Sequence, residues 1–157
     1  MKKTLKLLLI FLYVLSFNSI DIKALEDYSS TNTVIEDLGN NCYLITTIEQ
    51  KKNSNENKTT KTISGSKKVA YMNGNTLLWS VQVNGSFSYT GSSAKYIKAT
   101  VTTTCPSTEW KITSKSASKS NNIAIAKATG KKYFLGVCIQ TVNRTVSLKC
   151  SNTGKLS

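Results

Sequence analysis

Every second residue between Trp79 and Gly91 is apolar or glycine, and the residues between them are small and polar. Successive side chains of a β-strand point to opposite faces of a sheet, so a repeat of two indicates a strand with one buried face. The same pattern recurs through the second half of the chain, in short segments separated by turn residues about every 8–12 positions. The sequence therefore predicts an all-β fold, an immunoglobulin-like antiparallel β-sandwich.

Glycine and asparagine set the limits of the predicted strands. Gly85 is interpreted as a kink, Gly130 as a turn, and Ser64-Gly65-Ser66 as a break between two short strands. Asn73-Gly74 predicts a tight hairpin turn, because this pair accepts the positive φ that such turns need. The predicted strands cover residues 42–50, 59–63, 67–72, 76–83, 86–89, 94–105, 109–116, 123–128, 132–141 and 144–150.

The first 24 residues have the pattern of a secretory signal peptide. A basic head precedes an apolar run from Leu7 to Phe17, and Ala24 is a small residue at the expected cleavage point. The apolar run is shorter than the roughly 20 residues that a membrane-spanning helix needs. We therefore expect a secreted, extracellular protein whose mature chain has no transmembrane segment.

The mature chain divides into two regions. Residues 25–41 hold most of its acidic side chains, and we expect a loosely ordered N-terminal arm there, with a short helical turn near 34–38. Residues 42–157 carry the alternating pattern and are predicted to form the β-sandwich domain.

The chain is strongly basic, with 21 lysines and arginines against 8 acidic residues. Removal of residues 1–24 leaves 17 basic and 7 acidic side chains, a net charge of about +10. Such a protein is attracted to anionic cell-wall polymers or to a phospholipid surface through its summed field. Specific binding of nucleic acid is not expected, because Arg144 is the only arginine and lysine does not make bidentate contacts with bases or phosphates.

Four lysines are the candidate contacts for such an anionic partner. Lys111, Lys115 and Lys119 share one parity on a predicted strand, and Lys98 has outward parity together with Tyr96. Lysines on a sheet face produce a local positive field, and they also prevent strands from pairing edge to edge. Both the binding interpretation and the solubility interpretation are open at this point.

Four cysteines, Cys42, Cys105, Cys138 and Cys150, follow the signal peptide. In an exported chain they indicate disulfides, and they allow three connectivities that sequence does not separate. Strand parity places Cys105 and Cys150 on inward faces, which favours a Cys105–Cys150 bridge and leaves Cys42 to pair with Cys138. A metal site is not expected, because the cysteines are widely spaced and the chain has no histidine.

The side chains that carry most enzyme chemistry are scarce. Without histidine, neither a Ser-His-Asp nor a Cys-His arrangement can form. Glu109 is the only carboxylate side chain after residue 60, and no phosphate-binding loop or nucleotide motif is present. The sequence therefore predicts a protein that is not an enzyme and needs no cofactor.

Several strand motifs follow one another in order after residue 60. They are Gly65-Ser66-Lys67, the alternating run from Trp79 to Ala94, Trp110-Lys111, the segment 116–121, Leu135-Gly136, and Val146-x-Leu148-x-Cys150 with Gly154. Over roughly two thirds of the chain these motifs resemble a family of small secreted β-rich proteins of Gram-positive bacteria, a domain of unknown function. The resemblance implies a signal peptide and an all-β fold, and it implies no activity. Relatives carry a cysteine where this chain has Tyr96, so the resemblance supplies no partner for Cys150.

Two functions are consistent with these features. The first is a secreted, non-catalytic, cationic binding or envelope-associated module, and the alternative is a secreted antagonist or toxin-like effector that acts on competing cells.

Overall fold

The computed structural model describes residues 30–52 and 59–157, and the predicted signal peptide lies outside these residues. The described residues form eight β-strands and no helix, which confirms the all-β prediction. The strands are β1 (Ser30–Gly39), β2 (Cys42–Lys52), β3 (Lys61–Asn73), β4 (Thr76–Tyr89), β5 (Ala94–Thr104), β6 (Trp110–Ser120), β7 (Ile123–Phe134) and β8 (Val137–Lys149).

The strands form two antiparallel sheets. One is five-stranded in the order β1-β2-β3-β4-β5, and the other is three-stranded in the order β6-β7-β8. Within each sheet, strands that are consecutive in sequence lie side by side, and the chain passes from one sheet to the other between β5 and β6. The Greek-key connections of immunoglobulin domains instead place non-consecutive strands side by side. The prediction of two antiparallel sheets is confirmed, and the strand order is a meander because each hairpin turn returns the chain alongside the strand before it.

The structure differs from the predicted N-terminal arm. Residues 30–39 form β1, which pairs with β2 from Ser30, opposite Gln50, to Gly39, opposite Cys42. Asn40 and Asn41 adopt φ values of 53° and 61°, a left-handed conformation that asparagine tolerates better than most residues. This turn sends the chain directly back along β2, so the segment is extended instead of helical near residues 34–38.

Two glycines that suggested interruptions lie inside continuous strands. Gly65 in β3 lies directly opposite Gly85 in β4, and neither residue ends its strand. A Cβ atom at Gly85 would lie 2.7 Å from the ring of Phe87, and one at Gly65 would overlap the side chain of Leu156. Both positions are glycine because inward-facing side chains pack against the backbone there, and β3 and β4 are single strands.

Gly130 also lies within a strand, at the centre of the domain. The indole ring of Trp79 packs on it, and a Cβ atom at Gly130 would lie 2.6 Å from a ring carbon. Trp79 is 1% exposed, and its Nε1 has no hydrogen-bond partner among the described residues, so packing holds the ring. The predicted turn at Gly130 is therefore wrong: β7 continues to Phe134, and the chain turns at Leu135 and Gly136.

The inner faces of the two sheets enclose one hydrophobic core. The five-stranded sheet contributes large side chains, and β7 contributes mainly alanines, so small residues lie opposite large ones and the sheets approach closely. Burial of each large apolar side chain contributes about 1.5–3 kcal/mol. The core includes Ile63, Trp79, Val81, Val83 and Phe87 from the five-stranded sheet, and Trp110, Ala124, Ala126, Ala128, Val146 and Leu148 from the other.

The two ends of the domain are closed differently. At one end, here called the Trp110 end, the Tyr71 and Trp110 rings meet edge to face with centroids 5.4 Å apart. At the opposite end, here called the C-terminal end, residues 150–157 fold back along β8. Leu156 is buried there, and its backbone N–H donates to Gln50 Oε1 at 3.0 Å.

We predict that Gly130→Ala lowers the free energy of unfolding by about 1–3 kcal/mol, because the added methyl group displaces the Trp79 ring. Chemical denaturation measures the change. Combining Gly130→Ala with Trp79→Leu removes the ring that the methyl group meets, so the alanine penalty should shrink in that background. An equal penalty in both backgrounds would show that the Trp79–Gly130 contact is not its source.

Candidate binding surface

A β-bulge divides the predicted row of lysines on β6. Lys111 lies opposite Lys131, but Thr113 has no residue opposite it on β7. The register shifts beyond Thr113, so that Lys115 lies opposite Ala128. Ala128 is buried in the core, whereas Lys131 has the opposite parity to Gly130, which faces Trp79. Lys111 therefore lies on the outer face of the three-stranded sheet, and Lys115 and Lys119 lie on the inward side of this edge strand, where they remain exposed.

A second bulge, in β5, changes the expected outward parity of Tyr96. Lys98 pairs with Ser86 and Tyr96 pairs with Phe87, so Ile97 is the additional residue. Tyr96 consequently packs against the core, and Ile97 is exposed. The Nζ atom of Lys119 lies 4.4 Å from the centre of the Tyr96 ring, a cation–π contact across the edge between the sheets.

Lys98 lies on the outer face of the five-stranded sheet. It lines a shallow groove of about 570 Å³ together with polar side chains such as Asn84 and Ser86. Several of these side chains bond to one another: Gln82 Nε2 donates to Asn84 Oδ1 at 2.6 Å, and Asn84 Nδ2 donates to Thr102 Oγ1 at 3.2 Å. The structure therefore does not bring Lys98, Lys111, Lys115 and Lys119 together on one surface.

The carboxylate side chains of the eight strands are instead confined to the five-stranded sheet. Strands β1–β5 carry seven lysines and the three carboxylates Glu36, Asp37 and Glu49. Strands β6–β8 are shorter in total and carry no carboxylate side chain. Their eight cations are Lys111, Lys115, Lys119, Lys127, Lys131, Lys132, Arg144 and Lys149.

Four of these cations form what we call the cationic face, the outer face of the three-stranded sheet: Lys111, Lys127, Lys131 and Lys149. Lys111 and Lys131 lie directly opposite each other, an arrangement of like charges that destabilises a strand pair. Lys111 Nζ also lies 5.5 Å from the centre of the Tyr133 ring. The nearby Lys132 has inward parity and makes an ion pair of 3.2 Å with Glu109, so it is partly neutralised.

The cationic face ends at an exposed apolar hairpin. The β7–β8 turn and its flanks present four large apolar side chains to solvent, which we call the apolar tip: Phe134 (63% exposed), Leu135 (88%), Val137 (64%) and Ile139 (56%). Leu135 has a φ of 47° and Gly136 a φ of 83°. Two successive positive φ values are typical of a tight hairpin turn with asparagine or aspartate before the glycine, and leucine is an unusual residue there.

Sequence reasoning did not identify this tip as a functional feature. The alternating pattern placed residues 132–141 in one continuous strand, because the apolar run hides the turn. A signal was present in Leu135-Gly136, since glycine supports positive φ. Leucine is rarely found in turns, so Leu135-Gly136 did not indicate a turn as clearly as an asparagine–glycine pair does.

The cysteines are all free thiols, and the predicted Cys105–Cys150 bridge is wrong. The backbone N–H of Cys150 donates to Asn122 O, beside the Asn121 carbonyl that accepts from Tyr96 near the start of β5. Cys105 follows the last residue of the same strand, so the two thiols lie roughly 30 Å apart along it. A disulfide needs Cα atoms within about 7 Å.

The second predicted pair, Cys42 and Cys138, is also unbonded. Both residues lie at the Trp110 end, where Tyr71 interacts with Cys42 and with Gln140, two positions beyond Cys138. Burial, and secondarily Cys42, raises the pKa of the Tyr71 hydroxyl above its usual value.

Within residues 30–52 and 59–157, no group of three or more histidine, cysteine, aspartate or glutamate side chains is placed to hold a metal ion. None of the described residues belongs to a helix long and apolar enough to cross a membrane.

Comparison with models of protein families, with curated proteins and with solved structures finds no match to this chain.

We predict that the native protein reacts with thiol reagents first at Cys138, which is exposed, and last at Cys150, which is buried. Only the thiolate reacts, and burial raises the pKa of the Cys150 thiol, so its protection should persist as the pH rises through the ordinary thiol range. Mass spectrometry of peptides after timed alkylation measures both rates. Recovery of Cys105 and Cys150 as a linked peptide would contradict the structure.

Proposed function

We propose that this protein is a secreted, non-catalytic module that binds anionic polymers or phospholipid surfaces outside the membrane through the charge of its three-stranded sheet. The observation that carries the proposal is the presence of eight cations and no carboxylate in β6–β8. The lysines of the cationic face, which make no ion pair with another described residue, are the contacts. Lys98, which lies on the outer face of the other sheet near Glu49, is not among them.

The use of lysine suits a partner without a fixed sequence or shape. Lysine is a compact, strongly hydrated point charge, whereas arginine recognises planar anions through a rigid fork of donors. A face of lysines therefore attracts many phosphate or carboxylate groups with little selectivity among them. Such attraction is screened over about 10 Å at 0.1 M salt, so the binding is expected to be strongly salt-dependent.

The placement of the charges supports binding over solubility alone. A soluble surface mixes both signs, and a net charge of moderate size is sufficient. Here Lys111 and Lys131 oppose each other across β6 and β7, with unfavourable repulsion, while three carboxylates lie on β1 and β2. An anionic partner would relieve this repulsion. Solubility alone does not require two lysines to lie opposite each other.

The fold and the scarcity of reactive groups are consistent with this role. We propose that the two sheets act as a β-sandwich scaffold, and the meander order gives no support to the finer immunoglobulin-like assignment. Membership of the family of small secreted β-rich Gram-positive proteins is likewise proposed, on the strand motifs alone.

We predict that Lys111→Gln with Lys131→Gln weakens binding to anionic vesicles and to anionic wall polymer by about 10- to 30-fold at low salt, since each cation near an anionic surface contributes about 1 kcal/mol. Co-sedimentation at several salt concentrations measures the affinity and its salt dependence.

The matched control is Lys68→Gln with Lys95→Gln. It removes the same charge from the outer face of the five-stranded sheet, where these lysines pair with Gln82 and Ser88. Equal losses in the two double variants would show that net charge, and not the cationic face, determines binding. Absence of binding by the native protein at low salt would refute the proposed function.

A further inference from the structure

We propose that the apolar tip inserts into the interfacial region of an anionic phospholipid bilayer while the neighbouring lysines contact the lipid headgroups. This inference rests on the proposed charge-driven binding, and it adds a defined insertion element and a choice of partner.

The first support is the exposure of the tip. Phe134, Leu135, Val137 and Ile139 lie within six residues, and each is more than half exposed. Single exposed apolar residues are ordinary on protein surfaces, but clusters of this kind mark interaction sites. The two strands carry these side chains at the end of a hairpin, where they reach beyond the rest of the sheet.

The second support is the residue chosen for the turn. Leu135 and Gly136 both have positive φ, and asparagine at the first position would satisfy the backbone with less strain. Leucine is thus kept at the most exposed position of the tip, although it is a poor turn former. Strain of this kind at an exposed site indicates a function for the side chain.

The third support is the band of residues immediately behind the tip. Tyr133 lies next to Phe134, Lys111 Nζ lies 5.5 Å from the centre of its ring, and Lys131 lies opposite Lys111 on the same face. Tyrosine is enriched where one end of a side chain meets lipid and the other meets water. Lysines nearby contact anionic headgroups while an apolar segment enters the bilayer. The order from apolar to aromatic to cationic therefore matches the order of a bilayer surface from inside to outside.

A second cluster of exposed apolar side chains lies on β1, and it differs from the apolar tip in the charge of its neighbours. Val34, Ile35 and Leu38 on β1 are also exposed, at 60%, 66% and 40%. They flank Glu36 and Asp37, which an anionic surface repels.

Glu109 also lies beside the tip, where its backbone oxygen accepts from Tyr133, but its carboxylate pairs with Lys132. Lys111 and Lys131 remain on the outer face, so of the two exposed apolar clusters among the described residues the tip is the one with a net positive surrounding.

The combination of exposed apolar side chains with neighbouring lysines also indicates the partner. A hydrophilic anionic polymer offers charge without an apolar phase, so it gives the tip no favourable environment. An anionic phospholipid bilayer offers both. We therefore commit to the phospholipid surface as the partner of the tip.

The test compares two variants of the full mature chain on vesicles of mixed anionic and zwitterionic phospholipid. The tip variant is Leu135→Asn with Ile139→Thr. Asparagine accepts the positive φ of position 135, so the thermal stability of the tip variant should equal or exceed that of the native protein. The control variant is Val34→Thr with Ile35→Thr, which replaces two exposed apolar side chains of β1 and keeps β-branched residues there.

We expect the tip variant to bind these vesicles about tenfold more weakly or worse, because it no longer buries a leucine and an isoleucine in lipid. The control should bind as the native protein does. Both variants should bind anionic wall polymer with native affinity, since neither alters the lysines.

Three outcomes would overturn the inference. They are native vesicle affinity in the tip variant, an equal loss in both variants, and a loss in the tip variant that tracks a change in oligomeric state on a sizing column. If the native protein binds wall polymer and vesicles and only the tip result fails, the proposed function stands. If the native protein binds neither, the proposed function fails first.

Discussion

The contact between the Trp79 ring and the backbone of Gly130 determines how the two sheets are placed. The ring fills the space that a side chain at Gly130 would need, so β4 and β7 approach closely at the centre of the core. Because side chains alternate along a strand, this contact places Lys131 and Tyr133 on the outer face. Lys111 pairs with Lys131 across β6 and β7, so it lies on the same outer face. The cationic face is thus a consequence of a packing contact in the interior.

The three-stranded sheet combines features that are each unfavourable for an isolated domain. Lys111 and Lys131 repel each other, Leu135 adopts a backbone conformation that suits asparagine better, and the apolar tip is exposed to water. These features lie next to one another at one end of one sheet. A surface that is anionic outside and apolar beneath would relieve the repulsion and the exposure together, which is why we interpret them as parts of one binding element.

The sequence predicted the fold class well because alternation reports directly which face of a strand is buried. Trp79, Val81 and Val83 are buried as their parity indicated. The candidate site was predicted less well because of two β-bulges. Thr113 reverses the parity of Lys115 and Lys119 after it, and Ile97 reverses the parity of Tyr96 before it. A bulge depends on how two strands meet, and no residue type marks it. The prediction of a turn at Gly130 failed for a similar reason, since this glycine makes room for the ring of a tryptophan 51 positions earlier in the chain.

Hydrogen exchange measured by mass spectrometry, with and without anionic phospholipid vesicles, tests the central claim most directly. We predict slower exchange on vesicles in the segment around the β7–β8 turn, residues 131–141, with little change in β1 and β2. Protection that is concentrated in β1 and β2, or that is spread evenly over both sheets, would contradict this claim.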